Sequence, residues 1–341
     1  MLTLILTIIL FCVMIFPHEL GHFIAAKKMD VKVNEFAFGM GPKLWKKQRG
    51  ETLHSIRLLP IGGFCAMEGE DGESDEPRAF GNKKPWQKII ILAAGSLMNV
   101  LCAILIMIII TGVSGFTTNF VGELSDDSAA KKAGLLVNDE IVRIDGKPIE
   151  TWEDVSTTIM QSTGEPMEIE VKRNGDNIKY TVNPVATKVK LQDGTESERY
   201  LIGVTSKISH NPFKAIVVGT KATWEMTGSM FSAIGNLFTG KAGIKELAGP
   251  VGMVQMVSQT QSYGWWYYGF LTALICMNLA IVNMLPLPAL DGGRIIFVII
   301  GMITGKPVSE KAEGTVHLVG IAVLLLLMAY VTFNDITRIF G

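Results

Sequence analysis

Residues 2–26, LTLILTIILFCVMIFPHELGHFIAA, decide how the rest of the chain is interpreted. The stretch is mainly apolar, but His18, Glu19 and His22 lie near its C-terminal end. At about 1.5 Å per residue, a helix of this length crosses the hydrocarbon core of a bilayer, which is about 30 Å thick. The first basic residues follow the apolar run, whereas a cleaved signal peptide carries them in front of it. We therefore expect a retained membrane span that carries three ionisable side chains.

The composition of the whole chain also predicts a membrane protein with a soluble part. Of 341 residues, 48% are hydrophobic and 18% are charged, and the mean hydropathy is +0.34. Soluble domains have about 25% charged residues. The 31 Lys and Arg residues nearly balance 32 Asp and Glu residues, so no overall positive field favours a nucleic-acid partner. The four cysteines form no C-x-x-C pair, which indicates neither a disulfide framework nor a thiolate metal site.

Three further apolar regions complete a predicted polytopic α-helical membrane protein with four transmembrane segments. The second span covers residues 89–113. The third begins at the aromatic residues 265–268, is interrupted, and resumes at 295–303, and the fourth covers 316–333. Basic residues cluster in the short loops after the first and third spans. By the positive-inside rule, we expect these loops in the cytoplasm, and both termini and the region between spans two and three outside it.

The region between the second and third spans is more polar and has a different pattern. Residues 117–209 alternate β-branched and polar residues and contain turn residues, which predicts an inserted α+β domain. Residues 213–238 predict an amphipathic helix that lies on the membrane surface or packs on the insert, since amphipathicity does not choose between them. We expect a membrane core in two parts, residues 1–113 and 265–341. Between them we expect the insert, 117–209, and a linker region, 210–264.

Residues 18–22, His-Glu-Leu-Gly-His, form an H-E-x-x-H motif. On a helix the two histidines share one face and can bind one zinc ion, and Glu19 lies beside the metal as a general base toward a water. Each ionisable residue at the centre of a span costs about 2.5 to 3.5 kcal/mol on insertion scales, so the three need a compensating partner. We therefore predict Zn²⁺ at His18 and His22, in preference to a proton relay or a helix contact.

A catalytic zinc ion usually takes three protein ligands. Soluble metzincins place a glycine and a third histidine soon after the motif, but Ala25 and Lys28 occupy those positions, which excludes that class. Glu35 is a possible ligand, although it lies in a basic, polar segment beyond the span. Asp291 is the stronger candidate, because a carboxylate in the interrupted third membrane region needs a partner.

Asp291 belongs to the stretch 283–293, NMLPLPALDGG. Pro286 and Pro288 lack amide donors and do not continue a regular helix. Irregular backbone at membrane depth survives only when it is buried in protein or faces a wet cavity. A Pro-kinked structural helix is the alternative, but the presence of Asn283 and Asp291 favours a site.

The two polar stretches together resemble the signatures of the site-2 protease family of intramembrane zinc metalloproteases, in its bacterial RseP and RasP type with a single PDZ domain. H-E-L-G-H at 18–22 and N-x-x-P-x-P-x-L-D-G at 283–292 carry the resemblance, and Gly95-Ser-Leu-Met-Asn99 matches a weaker G-x-x-x-N pattern. Residues 38–42 and 60–64 are also similar to the bacterial members. The resemblance implies that His18, His22 and Asp291 are zinc ligands and that Glu19 is the catalytic base. It also implies that Asn99 and Asn283 are candidate substrate-positioning residues.

Two stretches of the insert, 127–135 and 138–149, resemble a PDZ domain. PDZ folds bind peptides by adding a strand to an exposed sheet edge. The alternative is that the insert acts as a steric filter over the membrane site, because a fold does not fix a function.

A transmembrane substrate hides its amides in helical hydrogen bonds and must unwind before attack. Residues 58–67, which follow the alternating residues 52–57, predict a strand-and-turn element near the site. Gly62 and Gly63 in this element allow close approach of another backbone. We expect the element to pair with the unwound substrate.

The predicted function is regulated intramembrane proteolysis in a bacterial cell membrane, with the active site toward the cytoplasm. The resemblance implies single-span substrates of the anti-sigma-factor or remnant-signal-peptide type. A metal or proton transporter is one alternative, but transporters tend to show internal repeats and the sequence has no second copy of either motif. A second alternative is a non-catalytic PDZ scaffold, but the presence of Glu19 argues against it.

Overall fold

Four helices of the computed structural model are long and apolar enough to cross a membrane: Leu2–Lys28, Pro85–Ser114, Trp265–Asn283 and a segment of the last helix, Lys311–Arg338. The structure describes residues 1–70, 72, 74–190, 196–241, 243, 249–306 and 308–340. Contacts divide the chain into two compact units. The membrane unit comprises Met1–Ile110 and Gly219–Gly341, and the insert comprises Thr111–Val218. The prediction of four spans with an α+β insert is confirmed.

The membrane unit begins with α1 (Leu2–Lys28), followed by a hairpin of two long strands, β1 (Val33–Arg49) and β2 (Thr52–Met67). A short 3₁₀ turn (Phe80–Asn82) precedes α2 (Pro85–Ser114). After the insert, the remaining helices are α5 (Pro212–Phe238), α6 (Pro250–Tyr263), α7 (Trp265–Asn283), α8 (Asp291–Thr304) and α9 (Glu310–Phe340).

The β1–β2 hairpin is more folded than a simple ribbon. Phe36 in β1 pairs with Cys65 on one side and with His54 on the other, so the first half of β1 lies between two parts of β2. Within the described chain, residues 63–67 of β2 pair with β1 alone. We call residues 63–67 the edge segment, because one side of their backbone has no strand partner.

Apolar side chains hold the membrane unit together in three clusters. In the first, Ala26 of α1 packs with Val33 of β1 and Ile91 of α2. The second joins α2, α5 and α7 through Met107, Met226 and Cys276. The third joins α1, α6 and α7, with residues Leu6, Leu10, Val257, Leu271 and Ile275.

The amphipathic stretch 213–238 lies in the helix α5, as predicted, and α5 packs on helices of the membrane unit rather than on the insert alone. A Cβ on Gly219 would lie 2.8 Å from Ile108 Cα, so α5 crosses α2 at very short range. Met226 then packs between α2 and α7. Val217 and Trp224 remain exposed on another face. The close contact with α2 depends on the small residue at the crossing, which a pattern of apolar residues does not detect.

The insert is an α+β domain with its own core. A sheet in the order β10-β3-β4-β6-β7, with β5 paired to β4, packs with two short helices, and β8 and β9 form a separate hairpin. Thr151 and Asp154 form a capping box at the start of the second helix, which satisfies two free amides there. The elements are β3 (Phe116–Leu124), α3 (Ala129–Ala133), β4 (Glu140–Ile144), β5 (Lys147–Pro148), α4 (Trp152–Met160), β6 (Met167–Arg173), β7 (Asp176–Val182), β8 (Val185–Lys190), β9 (Glu196–Leu201) and β10 (Val204–Ser209).

Candidate metal centre

The two histidines of the first span lie one turn apart on the buried face of α1. His18 is 8% exposed and His22 is 7% exposed. Two glycines let α2 approach this face. A Cβ on Gly21 would lie 2.2 Å from the Ala94 carbonyl oxygen, and one on Gly95 would lie 2.3 Å from His22 Nε2. Real Cβ atoms do not make such contacts, so both positions require glycine.

Asp291 reaches the same place from the broken third membrane region. The helix α7 ends at Asn283, residues 284–290 form a turn, and α8 starts at Asp291. The following residue, Gly292, packs so closely under the turn that a Cβ would lie 2.3 Å from the Leu285 carbonyl oxygen. The break predicted from the two prolines therefore folds into a compact turn that directs Asp291 inward.

The three predicted ligand atoms converge. His18 Nε2 and His22 Nε2 are 3.2 Å apart. Asp291 Oδ2 lies 3.3 Å from the first and 3.4 Å from the second. Tetrahedral zinc with bonds of about 2.0–2.1 Å places neighbouring ligand atoms about 3.3 Å apart. The triangle of donors therefore fits one zinc ion.

Two further observations support this fit. The Nδ1 atom of His22 lies 2.9 Å from the Ile91 carbonyl oxygen, which accepts its proton and leaves the Nε2 lone pair directed at the site. Asp291 Oδ2 is buried without a hydrogen bond. A buried carboxylate oxygen of this kind needs a cation or a donor.

Glu19 lies between the two histidines in sequence and faces the edge segment. A Cβ on Gly63 would lie 3.2 Å from Glu19 Cγ and 3.0 Å from the Ala37 carbonyl oxygen. The absence of a side chain at Gly63 therefore brings the edge segment next to the predicted base. Gly62 has φ +86° and faces the Met40 side chain instead.

The two predicted positioning residues differ in their surroundings. Asn283 Nδ2 lies 3.2 Å from His18 Nε2, at the rim of the donor triangle. Asn99 is completely buried, and neither atom of its amide has a hydrogen-bond partner in the described structure. It lies one helical turn beyond Gly95 on α2.

Glu35, the weaker ligand candidate, lies in a separate charged network. Its carboxylate accepts from the Ser55 hydroxyl at 2.6 Å, from Arg57 at 2.8 Å and from Lys43 at 2.9 Å. Burial raises the pKa of the Glu35 carboxyl, but the hydrogen bonds from these three side chains outweigh it and lower the pKa to about 2. The geometry thus assigns Glu35 to an ion-pair network of the hairpin, away from the donor triangle, and its side chain is only 15% exposed.

Sequence reasoning missed two features of the centre. The Ile91 carbonyl that orients His22 is a backbone group, and no residue type signals it. No role was predicted for Gly21, although the absence of a side chain there allows α1 to approach α2 at Ala94. A glycine on the same helix face as the histidines was an available signal, since small residues let membrane helices approach closely.

Comparison with known proteins gives matches over nearly the whole chain. The model of peptidase family M50 matches residues 6–327. A putative zinc metalloprotease of Clostridium acetobutylicum is 37% identical, covering 98% of this chain and 97% of that protein. The regulator of sigma-W protease RasP of Bacillus subtilis is 30% identical, covering 99% of each. Among solved structures, the PDZ domain of an SdrC-like protein from Listeria innocua is 22% identical, with a TM-score of 0.21, and matches 27% of this chain and 97% of that one.

Proposed function

The chain belongs to peptidase family M50, and we propose that it hydrolyses a peptide bond within the transmembrane segment of single-span proteins. It is a multi-pass membrane protein and a zinc metalloprotease, with relatives of that description over nearly its full length. The convergence of three donor atoms from two distant membrane segments carries the proposal. The family match does not favour a transporter or a non-catalytic scaffold.

His18, His22 and Asp291 hold the zinc ion in this proposal. Their donor atoms lie 3.2–3.4 Å apart, and a zinc ion between them would pair the buried Asp291 oxygen. When bound there, zinc would lower the pKa of a water toward neutrality and, as a Lewis acid, would polarise the carbonyl of the scissile bond.

Glu19 acts as the general base and then as the general acid. Its carboxylate accepts a proton from the attacking water and returns it to the departing amine. The position supports this role, because Glu19 is adjacent to His18 in α1 and its side chain contacts the edge segment at Gly63.

The edge segment, residues 63–67, holds the unwound substrate. An unwound stretch needs hydrogen-bond partners for its free amides and carbonyls at membrane depth. The edge segment has one side without a strand partner in the described structure, so a peptide added there gains a backbone ladder beside Glu19. A bulkier residue at Gly63 would separate the substrate from the base.

Asn283 and Asn99 complete the site as positioning residues. The Asn283 amide is 3.2 Å from His18 Nε2, close enough to donate to a substrate carbonyl held near the zinc ligands. The unpartnered amide of Asn99 offers both a donor and an acceptor in the membrane interior. A substrate backbone would satisfy both.

Similarity to the Bacillus subtilis regulator of sigma-W protease suggests the substrate class. We propose anti-sigma-factor-like proteins or remnant signal peptides as substrates, with the active site toward the cytoplasm and the insert outside. The insert is proposed to be a PDZ-like domain that either binds a peptide end or admits only trimmed substrates.

The test uses the purified full chain in detergent with a model single-span substrate. Glu19→Gln should lose cleavage by about 10²- to 10⁴-fold, the usual contribution of a general base, and should keep one zinc ion. Glu225→Gln, at an exposed carboxylate on α5, should behave as the wild type. Equal cleavage by Glu19→Gln and the wild type would refute the mechanism.

The edge-segment proposal needs its own variants. Neighbouring amides of a strand point to opposite sides, so proline at Phe64 and proline at Cys65 remove one amide that faces β1 and one that faces away. The variant that loses the outward amide should stay folded and lose cleavage. Unchanged cleavage by both variants would refute the pairing.

A further inference from the structure

The turn that leads into Asp291 contains a strained residue. Ala289 has φ +71°, in the left-handed region that side-chain-bearing residues avoid. Leu290, which follows, is extended and is the N-cap of α8, so the conformation of Ala289 sets the direction in which the chain enters Asp291. Within the turn, the Leu290 N–H donates to the Leu287 carbonyl at 3.3 Å, and a contact from outside the turn adds to this support.

His317 of α9 contacts the turn at this residue. The Ala289 backbone N–H donates to His317 Nδ1 at 2.8 Å. The imidazole is largely buried, and its ring also packs against Phe297 of α8, with the two ring centres 5.9 Å apart. His317 therefore touches both the turn before Asp291 and the helix after it.

The close approach of α9 is built into its backbone. Gly320 lies on the same face as His317, nearly one helical turn later. A Cβ on Gly320 would lie 2.4 Å from Pro288 Cβ and 2.8 Å from the Pro288 carbonyl carbon. Glycine at this position lets α9 sit directly against the turn, within hydrogen-bond distance of Ala289.

We propose that His317 is a positioning residue for Asp291. Its Nδ1 atom, together with the hydrogen bond inside the turn, holds Ala289 in the left-handed conformation and so keeps the carboxylate within reach of His18 and His22. The inference rests on the proposed function of Asp291 as a zinc ligand. Without the acceptor, Ala289 relaxes toward negative φ, the turn rotates and the carboxylate leaves the donor triangle.

The experiment measures the zinc affinity of the purified full chain in detergent by competition with a chelator, alongside substrate cleavage. His317→Leu should bind zinc about 10-fold more weakly, the smaller end of the effects found when support of a metal ligand is removed. His317→Asn should recover most of the affinity, because its Oδ1 takes the place of Nδ1 as acceptor. His317→Gln should not recover the affinity, because the Gln side-chain oxygen would lie near the position of His317 Nε2 and not of Nδ1.

A second background tests the role of the strained residue. Ala289→Gly removes the cost of positive φ, so the turn should hold its shape with less help from His317. The loss of zinc affinity from His317→Leu should therefore be smaller in this background than in the wild type. An equal loss in both backgrounds would overturn the proposed coupling through Ala289.

The failure of this inference is distinguishable from failure of the ligand set. If Asp291→Ala weakens zinc binding but His317→Leu does not, or if Gln and Asn at position 317 behave alike, the positioning role is wrong. If Asp291→Ala leaves zinc affinity unchanged, the proposed ligand set is wrong. Loss of affinity in His317→Leu with rescue by Asn supports the inference even if Leu also lowers overall stability.

Discussion

Two buried carboxylates, Asp139 in the insert and Asp291 in the membrane unit, differ in how their oxygens are paired. In the insert, Asp139 is 1% exposed and both of its oxygens are paired, with two nitrogens of Arg173 at 2.7 Å and the Leu136 amide at 2.8 Å. In the membrane unit, buried atoms of Asp291, Asn99 and Ser96 have no hydrogen bond in the described structure.

The difference in hydrogen-bond pairing indicates whether a buried polar group stabilises the fold or is available to a ligand. A buried polar group that is fully paired stabilises one conformation, whereas an unpaired one costs free energy until a ligand completes it. The unpaired Asp291 oxygen lies in the proposed zinc site, and Asn99 lies one turn from Gly95, which lines that site. In the proposed function, zinc and substrate would complete the unpaired groups of the membrane unit, whereas Asp139 of the insert is already paired.

The largest predicted effect comes from filling the space beside the unpaired groups. Gly95→Ala puts a methyl group where only 2.3 Å separates it from His22 Nε2, so the imidazole must move away from the other donors. We expect zinc affinity to fall by about 100-fold and cleavage to fall with it. Zinc content and cleavage of a single-span substrate measure both.

Gly228→Ala on α5 is the matched control, because no heavy atom lies within 4 Å of its added methyl group. It should leave zinc affinity and cleavage as in the wild type. If Gly95→Ala also binds zinc normally, the close approach of α2 has no part in shaping the site.

The next largest effect is expected from breaking the buried ion pair of the insert, between Asp139 and Arg173. Asp139→Asn removes one charge from a buried pair, which costs about 3 kcal/mol, at the lower end of the usual range because Arg173 is partly exposed. The insert should open more often, seen as faster hydrogen exchange in β4 and β6. Zinc content should not change.

Asp126→Asn serves as the comparison variant in the same domain. Its carboxylate is 95% exposed and pairs with Lys131 on the surface, where solvent screens the pair, so the loss of stability should be much smaller than for Asp139→Asn. Similar exchange rates in the Asp139 and Asp126 variants would contradict the importance of burial.

The smallest effect has opposite signs for stability and function. Asn99→Leu replaces an unpaired buried amide with an apolar group of similar size, which should stabilise the membrane unit by about 1 kcal/mol. Cleavage should drop, because the substrate loses a donor and an acceptor. Thermal unfolding in detergent and cleavage rates test the two halves.

Ser96→Ala separates the two consequences. This variant removes a second unpaired buried polar group, the Ser96 hydroxyl, and should also stabilise the protein. Ser96 is not a proposed substrate contact. Full cleavage by Asn99→Leu would contradict the positioning role, and reduced stability in that variant would show that the amide is paired.

Much of the architecture is predictable because lipid penalises polarity. Continuous apolar runs predicted the spans, and the prolines at 286 and 288 predicted the break that the structure shows between α7 and α8. The same penalty singled out His18, His22 and Asp291, whose donor atoms converge.

The remaining features depend on contacts between distant segments. The crossing of α5 on α2, and the approach of α2 to the histidines, rest on single glycines whose role appears only once the helices are packed. His317 and Asp335 were overlooked in the last helix, although the rule about ionisable residues near spans applied to them. Asp335 is fully buried and accepts from the Gly249 and Gly252 amides, where it caps α6.

X-ray absorption at the zinc edge of the purified, active protein tests the central claim most directly. The account predicts one zinc ion with two imidazole nitrogens and carboxylate or water oxygens at about 2.0–2.1 Å, and in His22→Ala either less bound zinc or a weaker imidazole signal. Sulfur ligation, or a spectrum unchanged by His22→Ala, would contradict a metal ion bound between the first span and Asp291.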